Sequence, residues 1–287
     1  MNHITLAAAI TLYHPDDKVA DYIISIRPYF GMIYLYDNTE SKDCTDKMRA
    51  RFKDQPGIKY AAKNLNKGLA HGLNACCNAA YKEGFQWIML FDQDSVITED
   101  LVIGMCDFIE EYDEEKLAIA SPMIDDFKNR SVKEKKAKRK KEVITSGMVL
   151  KLEAFNKNGY FLNALFVDAV DIEYCLRLAK NGYFILENNQ VKLAHNQYDC
   201  QQVLGGYKIN KYSALRHYYI ARGYCYIMEH YDYEKTYLEY FKQENTRRFW
   251  GMLLYDKHRP RKLLAVMLGI IDYKLGKFGR CRWRVLY

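Results

Sequence analysis

Trp87-Ile88-Met89-Leu90-Phe91-Asp92-Gln93-Asp94-Ser95 is the stretch on which the fold turns. Five apolar residues run unbroken into two carboxylates one residue apart. A run this short, closed by a turn-forming Asp, reads as a strand buried on both faces. Working back from it, residues 4–12 form a second apolar run. It ends at Tyr13-His14-Pro15, where proline stops regular structure. Residues 32–36 form a third, closed by Asp37-Asn38, and residues 58–61 a shorter fourth. Helical patterns fill the gaps at residues 17–29, 44–52 and 68–83. In the last of these, Leu69, Leu73, Cys76, Cys77 and Ala80 recur at helical spacing. Strands alternating with helices predict an α/β fold with a mostly parallel central sheet. Ligands bind such sheets at the carboxyl ends of the strands. Asp37 and Asp92 each follow a strand, so both are expected on one rim.

Working forward, residues 128–141 are dense in Lys and Arg and read as a mobile surface loop. Residues 143–150 resume the sheet. Residues 169–181 read as a helix with Ile172, Cys175, Leu176 and Ala179 on one side and Gly182 as its stop. Residues 184–186 and 191–194 are two short strands leading to His195. From Tyr212 onward the pattern is helical, aromatic and basic. The expected division is residues 1–210 for the nucleotide-binding part and 211–287 for a helical C-terminal extension, without internal repeats.

Composition sets limits. The 287 residues suit one large α/β domain with an extension. The net charge of +7 favours anionic partners without choosing among them. The eight cysteines include no Cys-x-x-Cys pair, which excludes zinc-ribbon and dithiol redox signatures. They read as reduced core thiols of a cytosolic protein. Residues 6–10 lack a preceding basic region, so a signal peptide is not expected. The apolar run at 263–271 falls well short of the roughly 20 residues that a spanning helix needs.

Four groups of residues can carry chemistry. Asp92-Gln93-Asp94-Ser95 places hard oxygen donors at a strand end, as Mg²⁺ or Mn²⁺ sites completed by substrate phosphates require. Read blandly, it is an acidic turn in which Asp94 or Ser95 caps a helix starting near Glu99. Asp168, Asp171 and Glu173 load the front of a helix, where negative charge is favoured. Glu173 and Arg177, four apart, suit an intrahelical pair and leave Asp171 free to face an acceptor hydroxyl as general base. Capping by surface acids is the plain alternative. His195 is a candidate metal ligand or an ordinary histidine. Asn66-Lys67-Gly68 with Asn74 is a candidate phosphate contact or a simple helix start.

Taken in order, these segments resemble inverting glycosyltransferase family 2, and within it the bacterial rhamnosyltransferase-like branch. The residues are Thr11-Leu12-Tyr13-His14-Pro15, Asp37-Asn38, Asn66-Lys67-Gly68 with Asn74, Asp92-Gln93-Asp94-Ser95, Ser146-Gly147, the stretch from Phe166 to Arg177, His195, and the stretch from Arg216 to Arg222. The resemblance implies a GT-A fold, a nucleotide-diphosphate sugar donor and Mn²⁺ or Mg²⁺. It implies that Thr11 and Tyr13 flank the base and Asp37 hydrogen-bonds it. Asn66, Lys67, Asn74 and Gln93 then belong to the donor site. Asp92 touches the donor's ribose or sugar, Asp94 holds the metal with His195 nearby, and Asp171 is the base with Asp168 in reserve. The sequence departs from the pattern at Val170, where the family has an acid, and at Gly223, where it has Asn.

The resemblance further implies a dTDP- or UDP-linked donor, rhamnose being favoured over glucose, galactose or galactofuranose. The acceptor is expected to be a saccharide of a cell-surface polysaccharide such as capsule. The basic, aromatic segment from Trp250 to Arg284 suits an anionic membrane surface. That favours a lipid-linked acceptor at the cytoplasmic face of a bacterial plasma membrane, while a solvated basic helix or an oligomer contact, such as a homodimer's, is the plain alternative. A nucleic-acid-binding protein would leave the acidic triplet without a role, so nucleic acid is not expected as a partner. A silent sugar-nucleotide-binding scaffold would not need Asp94 and Asp171.

Overall fold

The computed structural model describes residues 5–124, 136–194, 200–202 and 208–287. Its first half follows the expected alternation. Strand β1 (Ala7–Leu12) leads to helix α1 (Asp17–Ser25), β2 (Met32–Asp37), α2 (Lys42–Phe52), β3 (Ile58–Ala62), α3 (Leu69–Lys82) and β4 (Trp87–Asp92). Helix α1 is shorter than expected. It stops at Ser25, and Arg27–Tyr29 continues as a 3₁₀ turn around Pro28. α4 (Glu99–Tyr112) follows, and the hydroxyl of Thr98 caps it by accepting from the Leu101 N–H at 3.2 Å. Asp94 and Ser95 are therefore not used as caps.

β5 (Leu117–Ile124), β6 (Ala137–Lys140), β7 (Val149–Lys151), α5 (Leu152–Asn158), α6 (Val170–Lys180) and β8 (Phe184–Leu193) complete the main sheet, in the order β3-β2-β1-β4-β7-β5-β8-β6. β1 to β4 are parallel, and so are β5 and β8, whereas β7 runs against both β4 and β5, and β6 against β8. The structure departs from the sequence pattern at three places. Residues 137–140 of the basic stretch are a paired edge strand, because Lys140 finds buried Glu187 at 3.1 Å. Residues 125–135 lie outside the described part. The run at 143–150 forms strand only from Val149. Thr145 to Met148 instead make a turn in which Gly147 donates to Leu90 O at 2.8 Å. The two short strands expected at 184–194 are one strand.

The sheet is covered on both faces. Ala8, Ile10, Leu12, Met89 and Phe91 point to one core with α1, α2 and α4, while Ala7, Ala9, Ile88 and Leu90 point to another with α3, α5 and α6. This explains why the central strands read as continuous apolar runs. Cys76, Cys77, Cys175 and Cys281 are buried free thiols, while Cys44 is exposed.

β9 (Cys200–Gln202) and β10 (Lys208–Asn210) pair as a small hairpin, and α7 (Ala214–His230), α8 (Lys235–Tyr255) and α9 (Arg259–Lys274) follow. α9 packs along α7, where Gly269 lets the Tyr218 carbonyl approach. Arg222 of α7 is 1% exposed and donates to Gly279 O at 2.7 Å and Leu165 O at 3.3 Å. One buried guanidinium thus ties the C-terminal tail and the turn before α6 to the same helix. A charge so deep is retained only because carbonyl oxygens meet it. Among the described residues no helix is long and apolar enough to cross a membrane.

Candidate active site

Strand register gathers the first residues. Thr11 stands opposite Asp92, and Leu12 opposite Asp37, so the segments after β1, β2 and β4 share the carboxyl rim. Gln93 holds the Tyr13 backbone at both ends, accepting from its N–H at 2.9 Å and donating to its carbonyl at 3.2 Å. Tyr13 is left 47% exposed. Its hydroxyl lies beside Asn66, and burial followed by the charge of Glu40 raises its pKa.

Asp37 is fully buried, with one oxygen accepting from Thr39 N–H at 2.8 Å and the other from Tyr60 at 2.7 Å. Asn38 bridges to the Asn66-Lys67-Gly68 turn through Gly68 O at 3.3 Å and Lys67 N–H at 3.2 Å. Gly68 has φ +88°, and a Cβ there would lie 2.5 Å from the Phe166 carbonyl. The turn therefore sits directly on the segment that leads to Asp168. Lys67 is exposed. Asn74 is buried and bonded to both polar atoms of the Phe161 backbone, at 2.8 and 2.9 Å. Its amide braces the turns before α6 rather than facing the rim.

The acidic triplet is a tight turn. Ser95 N–H donates to Asp92 O at 3.2 Å, which leaves Asp94 exposed at the tip. The Ser95 and Ser146 hydroxyls lie 2.6 Å apart, so the turn at Ser146-Gly147 buttresses the triplet from the next strand. Asp92 is half-buried, and its carboxyl is pushed up to about 6. Burial is the main cause, followed by the negative charges of Asp94 and Asp171, while Arg216 opposes the rise. The first and second halves of the chain meet in that field.

Asp168 and Asp171 come from the turn into α6. Burial pushes Asp168 up to about 6, against the pull of Arg216, whose Nε lies 3.6 Å from its Oδ1. Its Oδ2 is buried and meets no hydrogen-bond donor among the described residues. Burial also raises Asp171, while hydrogen bonds from the backbone at Ile172, its own position and Thr145 hold it down. Phe166 and Ala169, on either side of Asp168, have φ of 73° and 64°. Such left-handed conformations at non-glycine residues store strain and persist only where the surroundings enforce them. Glu173, 1% exposed, receives Arg177 at 2.8 Å and Tyr231 at 2.6 Å. Arg177 also donates to Tyr160 O at 2.7 Å. The expected intrahelical pair is present, and it anchors the turns that present Asp168.

Several neighbours of the acidic cluster have no role legible in the sequence. Arg216 lies at the first position of the α7 segment that carries the resemblance, but only tertiary packing shows that it faces Asp168. Arg248 of α8 lowers both Asp168 and the half-buried Glu142, whose carboxylate accepts from Tyr237. Gly223 admits Ala169, because a Cβ there would lie 2.8 Å from the Ala169 Cβ and 3.5 Å from Asp168 O. The family's Asn would not fit at that crossing. His195 lies outside the described residues.

Asp92 and Asp94 offer oxygen donors whose mutual repulsion a divalent cation would relieve. Among the described residues no group of three His, Cys, Asp or Glu could hold a metal alone. A pair of carboxylates suits Mg²⁺ or Mn²⁺ when substrate phosphates fill the other positions. The donor set therefore fits the expected ion.

Residues 28–167 match the model of Glycosyl transferase family 2. The dTDP-rhamnosyl transferase RfbF of Shigella flexneri is 26% identical, with 75% of this chain and 77% of that protein covered. The solved structure of GalNAc-T7 with UDP, GalNAc and Mn²⁺ superposes with a TM-score of 0.55 at 14% identity, over 68% of this chain and 43% of that one. The chain thus spans less than half the length of that relative. The structure of S. aureus TarS 1-349 superposes with a TM-score of 0.55 at 13% identity, over 94% of this chain and 80% of that one. The fold is that of the GT-A glycosyltransferases.

Proposed function

From the premise that the chain belongs to glycosyltransferase family 2, we propose that it is an inverting, metal-dependent transferase that moves rhamnose from a dTDP-linked donor to a saccharide hydroxyl. The observation that carries this reading is the convergence of Asp92, Asp94, Asp168 and Asp171 in one electrostatic field at the carboxyl rim of the sheet. The rhamnosyl and dTDP assignments rest on the likeness to the Shigella flexneri relative. UDP-linked glucose, galactose and galactofuranose are the competing donors.

In this reading Thr11 and Tyr13 face the nucleotide base, and Gln93 sets the Tyr13 backbone. Asp37 shapes the base end through Thr39 and Tyr60, while Asn66 and Lys67 line the phosphate side. Asp94, with Asp92 beside it, would hold Mn²⁺ or Mg²⁺. Such an ion neutralises the charge that develops on a departing diphosphate. Asp171 takes the proton of the acceptor hydroxyl. The acceptor oxygen forms its bond to the anomeric carbon as the bond to the diphosphate oxygen breaks, and a single displacement inverts that carbon. A carboxyl pushed above its ordinary range is the better base near neutral pH. Asp168, with its unpartnered Oδ2, is the reserve for this role. Positioning and charge stabilisation would carry much of the rate.

Residues 1–210 act as the transferase part in this proposal, and residues 211–287 as the acceptor and membrane side. Two exposed apolar stripes support that side. Trp250 and Leu254 lie on α8, and Leu264, Met267, Ile271 and Leu275 recur along α9 and the residue after it, with Arg247, Lys257, Arg259, Arg261 and Lys274 nearby in sequence. Apolar stripes with basic flanks suit an anionic bilayer. The acceptor would then be a lipid-linked saccharide at a cytoplasmic membrane face.

Calorimetric titration with a dTDP-sugar tests the core of the proposal. Binding should require Mn²⁺ or Mg²⁺, and Asp94→Ala should remove the requirement together with most of the affinity. Equal binding with and without metal would overturn the metal-dependent reading.

A further inference from the structure

A pocket of about 270 Å³ lies between α7, α8 and α9. Half-buried Ile220, Tyr224, Phe249, Val266 and Ile270 supply most of its wall. Its polar members are His217, Asn245, Thr246 and Arg248. Burial pushes His217 down to about 4, with Lys262 acting in the same direction, so the imidazole is neutral at physiological pH. Arg248 is the cationic group of the wall, and its exposed guanidinium acts on Asp168.

Two links place this pocket against the acidic cluster. The Arg216 guanidinium stacks over the ring of Tyr212, another wall residue, at 4.5 Å, and its Nε lies 3.6 Å from Asp168. Arg248 reaches the same carboxylate electrostatically from the other helix. The pocket is thus mostly apolar, carries one guanidinium, and neighbours Asp168, the reserve base. Ligand sites commonly enclose about 300–1,000 Å³, so this one would hold part of a ligand rather than a whole one. The wall residues Val266 and Ile270 each precede an exposed member of the outer stripe of α9, Met267 and Ile271. One helix therefore presents apolar side chains both to the pocket and to the surface.

We propose that this pocket binds the phosphate-proximal segment of the acceptor's hydrocarbon chain, with Arg248 holding the phosphate. A mostly apolar wall offers the many hydroxyls of a free saccharide few partners for the water they would lose. A branched alkyl or isoprenoid chain gains from the same wall, and its phosphate meets the guanidinium of Arg248. The inference rests on the transferase reading, and it assigns that reading's acceptor a place in the fold. It makes Arg248 a binding residue, distinct from Arg216, which faces Asp168.

Farnesyl phosphate, used below its micelle concentration on the full chain, is the probe. It should bind saturably, and farnesol should bind about tenfold more weakly. Arg248→Gln should weaken farnesyl phosphate about tenfold and farnesol hardly at all. Val266→Trp and Ile270→Trp should each weaken both ligands about tenfold while Mn²⁺-dependent binding of a dTDP-sugar is unchanged. That unchanged binding also shows that the variants fold. If the Trp variants do not fold, a photoreactive farnesyl phosphate on the wild-type chain should label α7, α8 or α9. Equal affinities across wild type and variants, equal affinities for farnesol and farnesyl phosphate, or labelling elsewhere would overturn the proposal. Failure of the wild type to bind a dTDP-sugar would instead strike the transferase reading and leave a lipid-phosphate site standing.

Discussion

Replacing Asp92 with Asn should stabilise the metal-free protein while weakening its hold on the donor. The Asp92 carboxyl is displaced from the ordinary 3.8 to about 6, chiefly by burial and then by Asp94 and Asp171. At about 1.4 kcal/mol for each tenfold change, the gap is about 3 kcal/mol against the charged form. Asp92 is only half-buried, and solvent screening lowers the expected gain to about 1–2 kcal/mol. Its sign follows from linkage. The folded-state value lies above the unfolded one, so the favourable contribution is full below 3.8 and is lost as pH rises through about 6. At pH about 7.5 the wild type bears the whole penalty and the Asn variant bears none. Urea unfolding in the presence of EDTA should show the variant more stable at that pH, with the difference shrinking toward pH about 4.5. Mn²⁺ with a dTDP-sugar should raise the wild-type midpoint and leave the variant nearly unmoved. A variant that is no more stable at the higher pH, or an advantage that persists unchanged on acidification, would refute the electrostatic account of this site.

Asp171→Asn should leave donor affinity within about twofold and lower transfer by about 10²–10⁴, as single-turnover kinetics would show. Substantial remaining turnover would pass the role of base to Asp168. Gly223→Asn should cost about 1–3 kcal/mol by overpacking the crossing of α7 with Ala169, read by urea midpoint, and transfer should fall because the Asp168 turn must shift. A Trp250→Ser/Leu254→Ser/Met267→Ser variant should sediment much less with anionic liposomes than wild type, with an unchanged unfolding midpoint because all three side chains are about half exposed. Equal sedimentation would remove the bilayer from the proposal.

What could be read without the structure was local. Apolar runs that stop at a turn residue marked β1, β2 and β4, and the alternation with helices made their carboxyl ends one rim. Asp37 and Asp92 therefore reached the right edge on period and punctuation alone. Glu173 and Arg177 followed from helical spacing, which depends only on the rise of one helix. The antiparallel insertion of β7 was not legible, because residues 143–150 look like any buried strand. Their split into a turn and a short strand depends on Leu90, distant in sequence, accepting from Gly147. The edge strand at Ala137–Lys140 was hidden for the same reason, since its lysine-rich pattern makes sense only beside Glu187.

The acidic residues could be named as candidates, yet their shared field could not. Asp92 acquires its displaced carboxyl from burial and from Asp171, a residue 79 positions on. Arg216 and Arg248 reach Asp168 only because α7 and α8 return to the turn that leads into α6. Gly223 in place of Asn has its reason in the crossing of α7 with Ala169. The sequence by itself determined which residues end strands and line helix faces, since those are properties of neighbouring residues in the chain. Only the tertiary structure decided which charges meet, which are desolvated and what stands beside them, because burial and Coulomb energy depend on distance in space.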